Sequence, residues 1–340
     1  MRAAIFNPYL DTMGGGERYT MAFVTVLKEL GFKVDVEWKS KNIKGRLEER
    51  FGIDLTGVNF VKDVKRGDGY EVCFWVSDGS IPTLAARKNF LHFPVPFNDV
   101  HGKTLLNRMK LFRIRKVICN SSFTKTFIDK EYGVNSIVIY PPVDVAKIKP
   151  KRKENIILYV GRFSRLLQSK RQDILIGAFK RFSKEFRDWK LVLAGGIEVG
   201  KDEFLDRLEK LSLGYPIEIV KSPPFKEIKK LYGQAKIFWS AAGFGVDEKK
   251  EPEKVEHFGI TTVEAMAAKT IPLVFNAGGA KEIIKDTENG YLWKRQAELL
   301  GKTKEFLATR GLAKKVSEEA QRSAQSYSYE RFKREIIGLL

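Results

Sequence analysis

Several residue types are scarce in this 340-residue chain, and each shortage removes a class of protein. There are two cysteines and three histidines. Cys73 and Cys119 each lie in an apolar, strand-like run (EVCFWV and KVICN). That placement predicts buried free thiols in a reducing compartment, not a disulfide scaffold. His92, His101 and His257 are too scattered for a histidine-based metal site. No apolar run reaches the roughly 18–20 residues of a membrane span. The opening MRAAIFNPYL lacks the basic and long apolar regions of a secretory signal, so a cytoplasmic chain is expected. No low-complexity tract or solenoid repeat is present.

Acidic residues are also in deficit. Sixty-one Lys and Arg stand against 42 Asp and Glu, a net charge of +19. Such a field favours polyanions: nucleotides, nucleic acid or an anionic bilayer face. No RNP-like or zinc motif accompanies it, so nucleic acid is not an expected partner. One stretch, 103–116 (KTLLNRMKLFRIRK), carries six basic residues among Leu, Met, Phe and Ile. It reads equally as a membrane-surface helix with basic and apolar faces, or as an ordinary half-buried helix with solvated charges.

The composition, 43% hydrophobic and 12% aromatic, is that of a folded protein, and the length suits two domains. In the first half RAAIFN, KVDVEW, YEVCFWV, NFLHF, KVICN and SIVIY read as strands, and GERYTMAFVTVLKELG as a helix ended by Gly31. The stretch 140–153, with three prolines and a basic run, reads as a linker. Beyond it the pattern restarts, with NIILYVG, KLVLAGG, IEIVK, KIFWSA and IPLVF as strands alternating with helical segments. This alternation predicts two doubly wound α/β domains facing across a cleft. In such sheets ligands bind at the carboxyl ends of strands, where loops lead into helices.

Three groups of residues fall in those loops. In 256–264 (EHFGITTVE) a helix is expected to begin near Ile260, behind Gly259. Its first amides are unpaired and carry the positive end of the helix dipole, which suits a diphosphate. Glu264, one turn inside, could accept two ribose hydroxyls, and Glu256 could hold sugar hydroxyls beyond the phosphates. The plainer reading is one capping and one solvated glutamate. The second group, Met13-Gly-Gly-Gly-Glu-Arg18, follows a strand and opens a helix. It lacks the Gly-Lys-Ser/Thr of a P-loop, and Tyr19 stands where a dinucleotide fingerprint needs Gly or Ala. A tight turn without ligand is the alternative. Third, His92 ends the NFLHF strand and is placed toward the cleft or, alternatively, in a structural role.

Together with VGRFS, KRQDILIGAF, LVLAGG, NAGGAKEII and the late YSYERF, the 256–264 segment resembles the family-4 retaining glycosyltransferases of the GT-B fold. The blocks match in order across the C-terminal half. The form EHFGI-x-x-VE-x-MAA, with Gly-Gly-Gly-Glu-Arg near the N-terminus, is most similar to the mannosyltransferases that extend dolichol-linked oligosaccharides. The resemblance implies two Rossmann-like domains: an acceptor domain at 1–148 and a nucleotide-sugar donor domain at 149–325. A C-terminal helix at 326–340 would pack back on the first. It implies metal-independent transfer of a hexosyl group, mannosyl favoured, from a nucleoside diphosphate sugar to a glycan or polyprenyl-linked glycan hydroxyl. GDP-mannose is the favoured donor, a UDP-sugar the alternative, and no further cofactor is implied.

By the same resemblance Arg162 and Lys170 contact the donor diphosphate, with Arg165 or Arg171 as alternatives to Lys170 because the spacing is longer than the family's. Gly15 and Gly16 pass near the donor phosphate, and His92 and Glu256 serve the donor sugar. The donor is further bound by Phe225 in the 222–225 loop, beneath the base, and by Phe258, Gly259, Ile260, Thr261 and Glu264. The absence of Asp-x-Asp, the usual metal-holding motif of the other great glycosyltransferase class, fits cations supplied by Arg, Lys and helix amides. The expected location is cytoplasmic, or at the inner face of the cell membrane through 103–116. The rival reading is a non-catalytic basic module that binds nucleic acid or anionic membrane.

Overall fold

The computed structural model describes every residue except 41, 164–169 and 198–202. The chain divides into two compact units: Met1–Pro142 together with Tyr329–Leu340, and Val143–Ser328.

The first unit is built on seven parallel strands: β1 (Arg2–Phe6), β2 (Lys33–Glu37), β3 (Asn59–Val61), β4 (Val72–Val76), β5 (Lys88–Phe93), β6 (Lys116–Cys119) and β7 (Ile137–Val138). Their order is β3-β2-β1-β4-β5-β6-β7. The helices are α1 (Gly15–Glu29), α2 (Ile43–Phe51), α3 (Leu105–Leu111) and α4 (Ser122–Tyr132). Strands buried on both faces must be apolar throughout, which is why AAI, VCF and FLHF carry almost no polar side chains. Both cysteines are free and buried, as the sequence predicts. Burial pushes each thiol up to about 12.

The second unit holds six parallel strands: β8 (Glu154–Val160), β9 (Lys190–Gly195), β10 (Ile217–Lys221), β11 (Ala235–Ser240), β12 (Ile271–Phe275) and β13 (Tyr291–Trp293). They run in the order β10-β9-β8-β11-β12-β13. The helices are α5 (Gln172–Phe182), α6 (Glu203–Ser212), α7 (Phe225–Gln234), α8 (Ile260–Ala267), α9 (Ala280–Ile283), α10 (Gln296–Ala308) and α11 (Leu312–Ala324). Tyr159, Phe179, Phe182, Trp239 and Trp293 fill its interior.

Each sheet reverses its winding once, between β1 and β4 in the first unit and between β8 and β11 in the second. A reversal leaves a crevice at the carboxyl ends of the two central strands. The Gly14–Gly16 turn follows β1, and Gly161-Arg162 follows β8, so each motif stands at the reversal of its own sheet.

The last helix, α12 (Tyr329–Leu339), belongs to the first unit, as expected. It lays Phe332 and Ile336, one turn apart, into the core formed by α1 and the sheet. The Phe332 ring meets Tyr19 edge-on at 5.1 Å. Arg331 donates to the Tyr140 carbonyl at 2.8 Å. Among the described residues, no helix is long and apolar enough to cross a membrane.

Truncating Phe332 to Ala should remove about 3–5 kcal/mol from the first unit through lost burial and the cavity left behind. Hydrogen exchange should show faster opening in β1 and α1 but not in β8 or β11; equal acceleration in both units would contradict the assignment of α12 to the first.

Candidate active site

The loop leading into α8 is held mainly by backbone. Gly259 has φ +113°, a conformation that L side chains rarely adopt, and α8 begins with no side-chain cap. Its first amides therefore point outward, with the positive end of the helix dipole. Behind the loop, the Gly279 amide donates to the Glu256 carbonyl at 2.7 Å. A Cβ at Gly278 would lie 2.1 Å from the Glu256 oxygen, and one at Gly279 would lie 2.2 Å from that of His257. Only glycine fits at either position. Glu248 accepts from the Gly278 amide at 2.8 Å and from Lys281 at 2.5 Å. His257 bonds the Glu253 carbonyl at 3.0 Å, which orients the loop. The NAGGAKE segment thus acts as a buttress for 256–258.

Lys170 and Glu256, 86 positions apart in sequence, meet in an ion pair of 2.7 Å. Their side chains are only 12% and 19% exposed, so little water screens the pair. The other basic candidate among the described residues, Arg171, is committed elsewhere. Its guanidinium binds Asp173 at 3.1 Å and the Phe244 carbonyl at 2.6 Å. Arg165 lies outside the described residues. Arg162 is half-buried, its backbone fixed by Gln172, which donates to the Arg162 carbonyl at 2.9 Å. Here again two glycines allow close approach: a Cβ at Gly195 would lie 1.9 Å from the Gly161 carbonyl oxygen. Gly196 leaves room for the Arg162 side chain, whose Cγ lies 4.0 Å from where its Cβ would stand.

Glu264 is buried in α8 and accepts from the Tyr232 hydroxyl at 2.9 Å. Tyr232, on α7, is also buried, and so positions this carboxylate. Ile260 and Thr261 are half-buried at the helix start, whereas the Phe258 ring is buried against Tyr327. Phe225 opens α7 half-buried, after the loop whose Ser222 amide donates to the Gly195 carbonyl at 2.7 Å.

In the first unit, Gly15 and Gly16 form the first turn of α1. Glu17 closes that turn by accepting from the Gly14 amide and the Thr12 hydroxyl, both at 2.8 Å. A Cβ at Gly16 would lie 3.8 Å from that of Pro94, which places the glycine turn beside the segment that follows β5. Asn120, after β6, donates to the Pro94 carbonyl at 2.8 Å. His92 is fully buried, stacked on Tyr19 at 4.2 Å and bonded through Nδ1 to the Ile118 carbonyl at 3.2 Å. Burial pushes its imidazole down to about 3, against an ordinary 6.5. It is therefore neutral at any working pH.

Tyr232, Gln172 and Gly195 were not singled out from the sequence. Gly195 sits in the LVLAGG block, a visible signal at a strand end. Tyr232 and Gln172 sit inside amphipathic helices, where nothing marks one buried polar residue over its neighbours.

The His92 environment predicts a pH effect on stability. Between about pH 6.5 and 3 the unfolded chain takes up a proton that the folded chain refuses, so unfolding free energy falls as pH falls through that window. Urea titrations of His92→Phe should show a shallower fall there than the parent chain; identical slopes would refute the buried neutral imidazole.

Residues 143–323 match the model of the glycosyl transferases group 1 family. A "GDP-Man:Man(3)GlcNAc(2)-PP-Dol alpha-1,2-mannosyltransferase" of Dictyostelium discoideum is 28% identical over 238 residues, 65% of this chain and 46% of that protein. The chain thus spans less than half the length of this relative. The "Alpha-1,3/1,6-mannosyltransferase ALG2" of Yarrowia lipolytica is 24% identical, with 84% of this chain and 79% of the relative covered. Among solved structures, a glycosyltransferase from Rickettsia africae superposes with a TM-score of 0.80 at 20% identity, over 99% of this chain and 97% of that one. At that identity the likeness establishes the fold, which is GT-B. The match to the family model covers more than half of the residues: the chain belongs to the group 1 glycosyl transferases.

Proposed function

We propose that the protein transfers a mannosyl group, with retention of configuration and without a metal ion, from GDP-mannose to a hydroxyl of a polyprenyl-linked glycan. The reaction would take place at the cytoplasmic face of the membrane that carries the acceptor. The observation that carries the reading is the joining of Lys170 and Glu256 beside the uncapped start of α8, with Glu264 one turn inside. A cation, unpaired amides and two carboxylates are the groups a nucleoside diphosphate sugar needs: positive charge for the phosphates, acceptors for ribose and sugar hydroxyls. The names of the two mannosyltransferase relatives support the sugar and, for the Dictyostelium protein, the GDP donor and the lipid-linked acceptor.

In this reading Arg162, Lys170 and the amides of Gly259, Ile260 and Thr261 take the diphosphate. Glu264, steadied by Tyr232, takes the ribose, and Glu256 takes the sugar. The acceptor oxygen bonds to the anomeric carbon on the face from which the diphosphate departs. Its proton passes to the departing phosphate oxygen. The protein's part is positioning and stabilisation of the charge that develops on the leaving group.

Two measurements test this. Glu264→Gln, which keeps a partner for Tyr232, should weaken GDP binding in calorimetry about tenfold or more, the worth of a charged hydrogen bond. Unchanged affinity would remove the ribose assignment, and a preference for UDP would replace the nucleotide. Transfer from GDP-mannose should persist in excess chelator; activity restored only by a divalent ion would overturn the metal-free mechanism.

A further inference from the structure

The stretch 103–116, readable from sequence in two ways, takes a definite form. Helix α3 is capped by the Thr104 hydroxyl, which accepts from the Asn107 amide, and none of its residues is buried. It rests on the first unit through one side only. Asn107 donates to the Gly102 carbonyl at 3.0 Å, and Leu111, four positions on, packs against the cluster that contains Phe93, Ile128 and Tyr132. Gly102 is itself pinned: a Cβ there would lie 2.5 Å from the Tyr132 ring.

On the opposite side stand Leu105, Met109 and Phe112, spaced i, i+4, i+7 and therefore one stripe, with Leu106 on its shoulder. They are 75%, 66%, 94% and 60% exposed. On a helix of 3.6 residues per turn, Arg108 falls on one edge of this stripe and Lys110 on the other. Lys103, Arg113, Arg115 and Lys116 extend the positive field, and no Asp or Glu stands anywhere in 103–116. Arg113 and Arg115 are anchored, donating to the Leu84 and Leu339 carbonyls at 2.9 and 3.1 Å.

We infer that α3 is a docking helix for an anionic lipid bilayer, with Leu105, Leu106, Met109 and Phe112 entering the acyl boundary and the flanking basic residues reaching the headgroups. The chemistry selects this partner. A four-residue apolar stripe edged by cations on both sides matches a surface that is apolar beneath and negative above. A second copy of this chain would oppose six positive charges to six more. Attraction of the basic residues to an anionic surface adds to burial of the apolar stripe, the two signals that together hold a protein on a bilayer. The inference does not rest on the transfer reaction, and its test reads no activity.

The experiment is sedimentation of the full chain with vesicles of phosphatidylcholine alone, or with about one-third phosphatidylserine, at physiological salt. Binding is expected to the mixed vesicles and not to the neutral ones. Met109→Ser with Phe112→Ser should lower the partition coefficient about tenfold or more, since burying one such side chain is worth more than a tenfold step. Arg108→Glu with Lys110→Glu should lower it further. Melting temperature and GDP binding should not change in either variant, because these side chains lie at the surface. Equal binding by the serine variant would reduce the contact to charge alone and overturn insertion. Absence of vesicle binding, with self-association lost in the serine variant, would assign the face to a second copy instead.

Discussion

The loop that leads into α8 is placed by a backbone contact that no side chain can imitate. The Gly279 amide reaches the Glu256 carbonyl at 2.7 Å, and neither Gly278 nor Gly279 has room for a Cβ. Because the loop is fixed at its carbonyls, the Glu256 side chain is free to leave on the other side and meet Lys170. The same fixation sets the direction of α8, and with it the outward amides and the depth of Glu264. Gly161 and Gly195 repeat the device at the ends of β8 and β9. Close backbone packing at strand ends thus sets the course of the loops around Glu256 and Arg162.

Within that frame the charges are arranged in tension. Lys170 and Glu256 neutralise each other in a place with little water, where the attraction is strong and an unpaired partner would be costly. In the proposed donor complex the diphosphate of a nucleotide sugar would bring negative charge to Lys170 and the sugar would bring hydroxyls to Glu256, so both ions would keep a partner as their mutual contact loosens. The first unit makes the opposite choice at His92. There a titratable ring is kept neutral by complete burial under Tyr19, so no imidazolium stands in the interior.

The sequence was informative where local rules and burial agree. Strands such as NIILYV and KLVLAG are apolar because both faces are covered, and the helix at Ile260 announces itself by the glycine before it. Shorter or more polar elements were harder. Helix α2 (IKGRLEERF) buries only Ile43 and Leu47, and β13 is three residues long, too short for any periodicity to register. Helix α4 carries legible caps, with Ser121 accepting from the Thr124 amide and Gly133 in the left-handed region. Its threonines and phenylalanines nonetheless favour strand by propensity. At the site, Glu256 and Glu264 stood out by their spacing. The approach of Lys170 to Glu256 and of Tyr232 to Glu264 did not, because residues 86 and 32 positions apart are joined only by the winding of the sheet.

The placement of α12 has a bearing on the order in which the protein takes shape. Phe332 and Ile336 complete a core whose other buried members lie before residue 140. The chain leaves the first unit after Pro142 and re-enters it at Tyr329. Those two crossings run side by side, with the Val143 amide donating to the Tyr327 carbonyl at 2.8 Å. The second unit is therefore one continuous insertion with adjacent ends. On the ribosome, where synthesis runs from the N-terminus, every strand of the second sheet emerges before the first unit receives its closing helix. Of these two units the one begun first is the one finished last, and its α1 face must wait, apolar and uncovered, for α12.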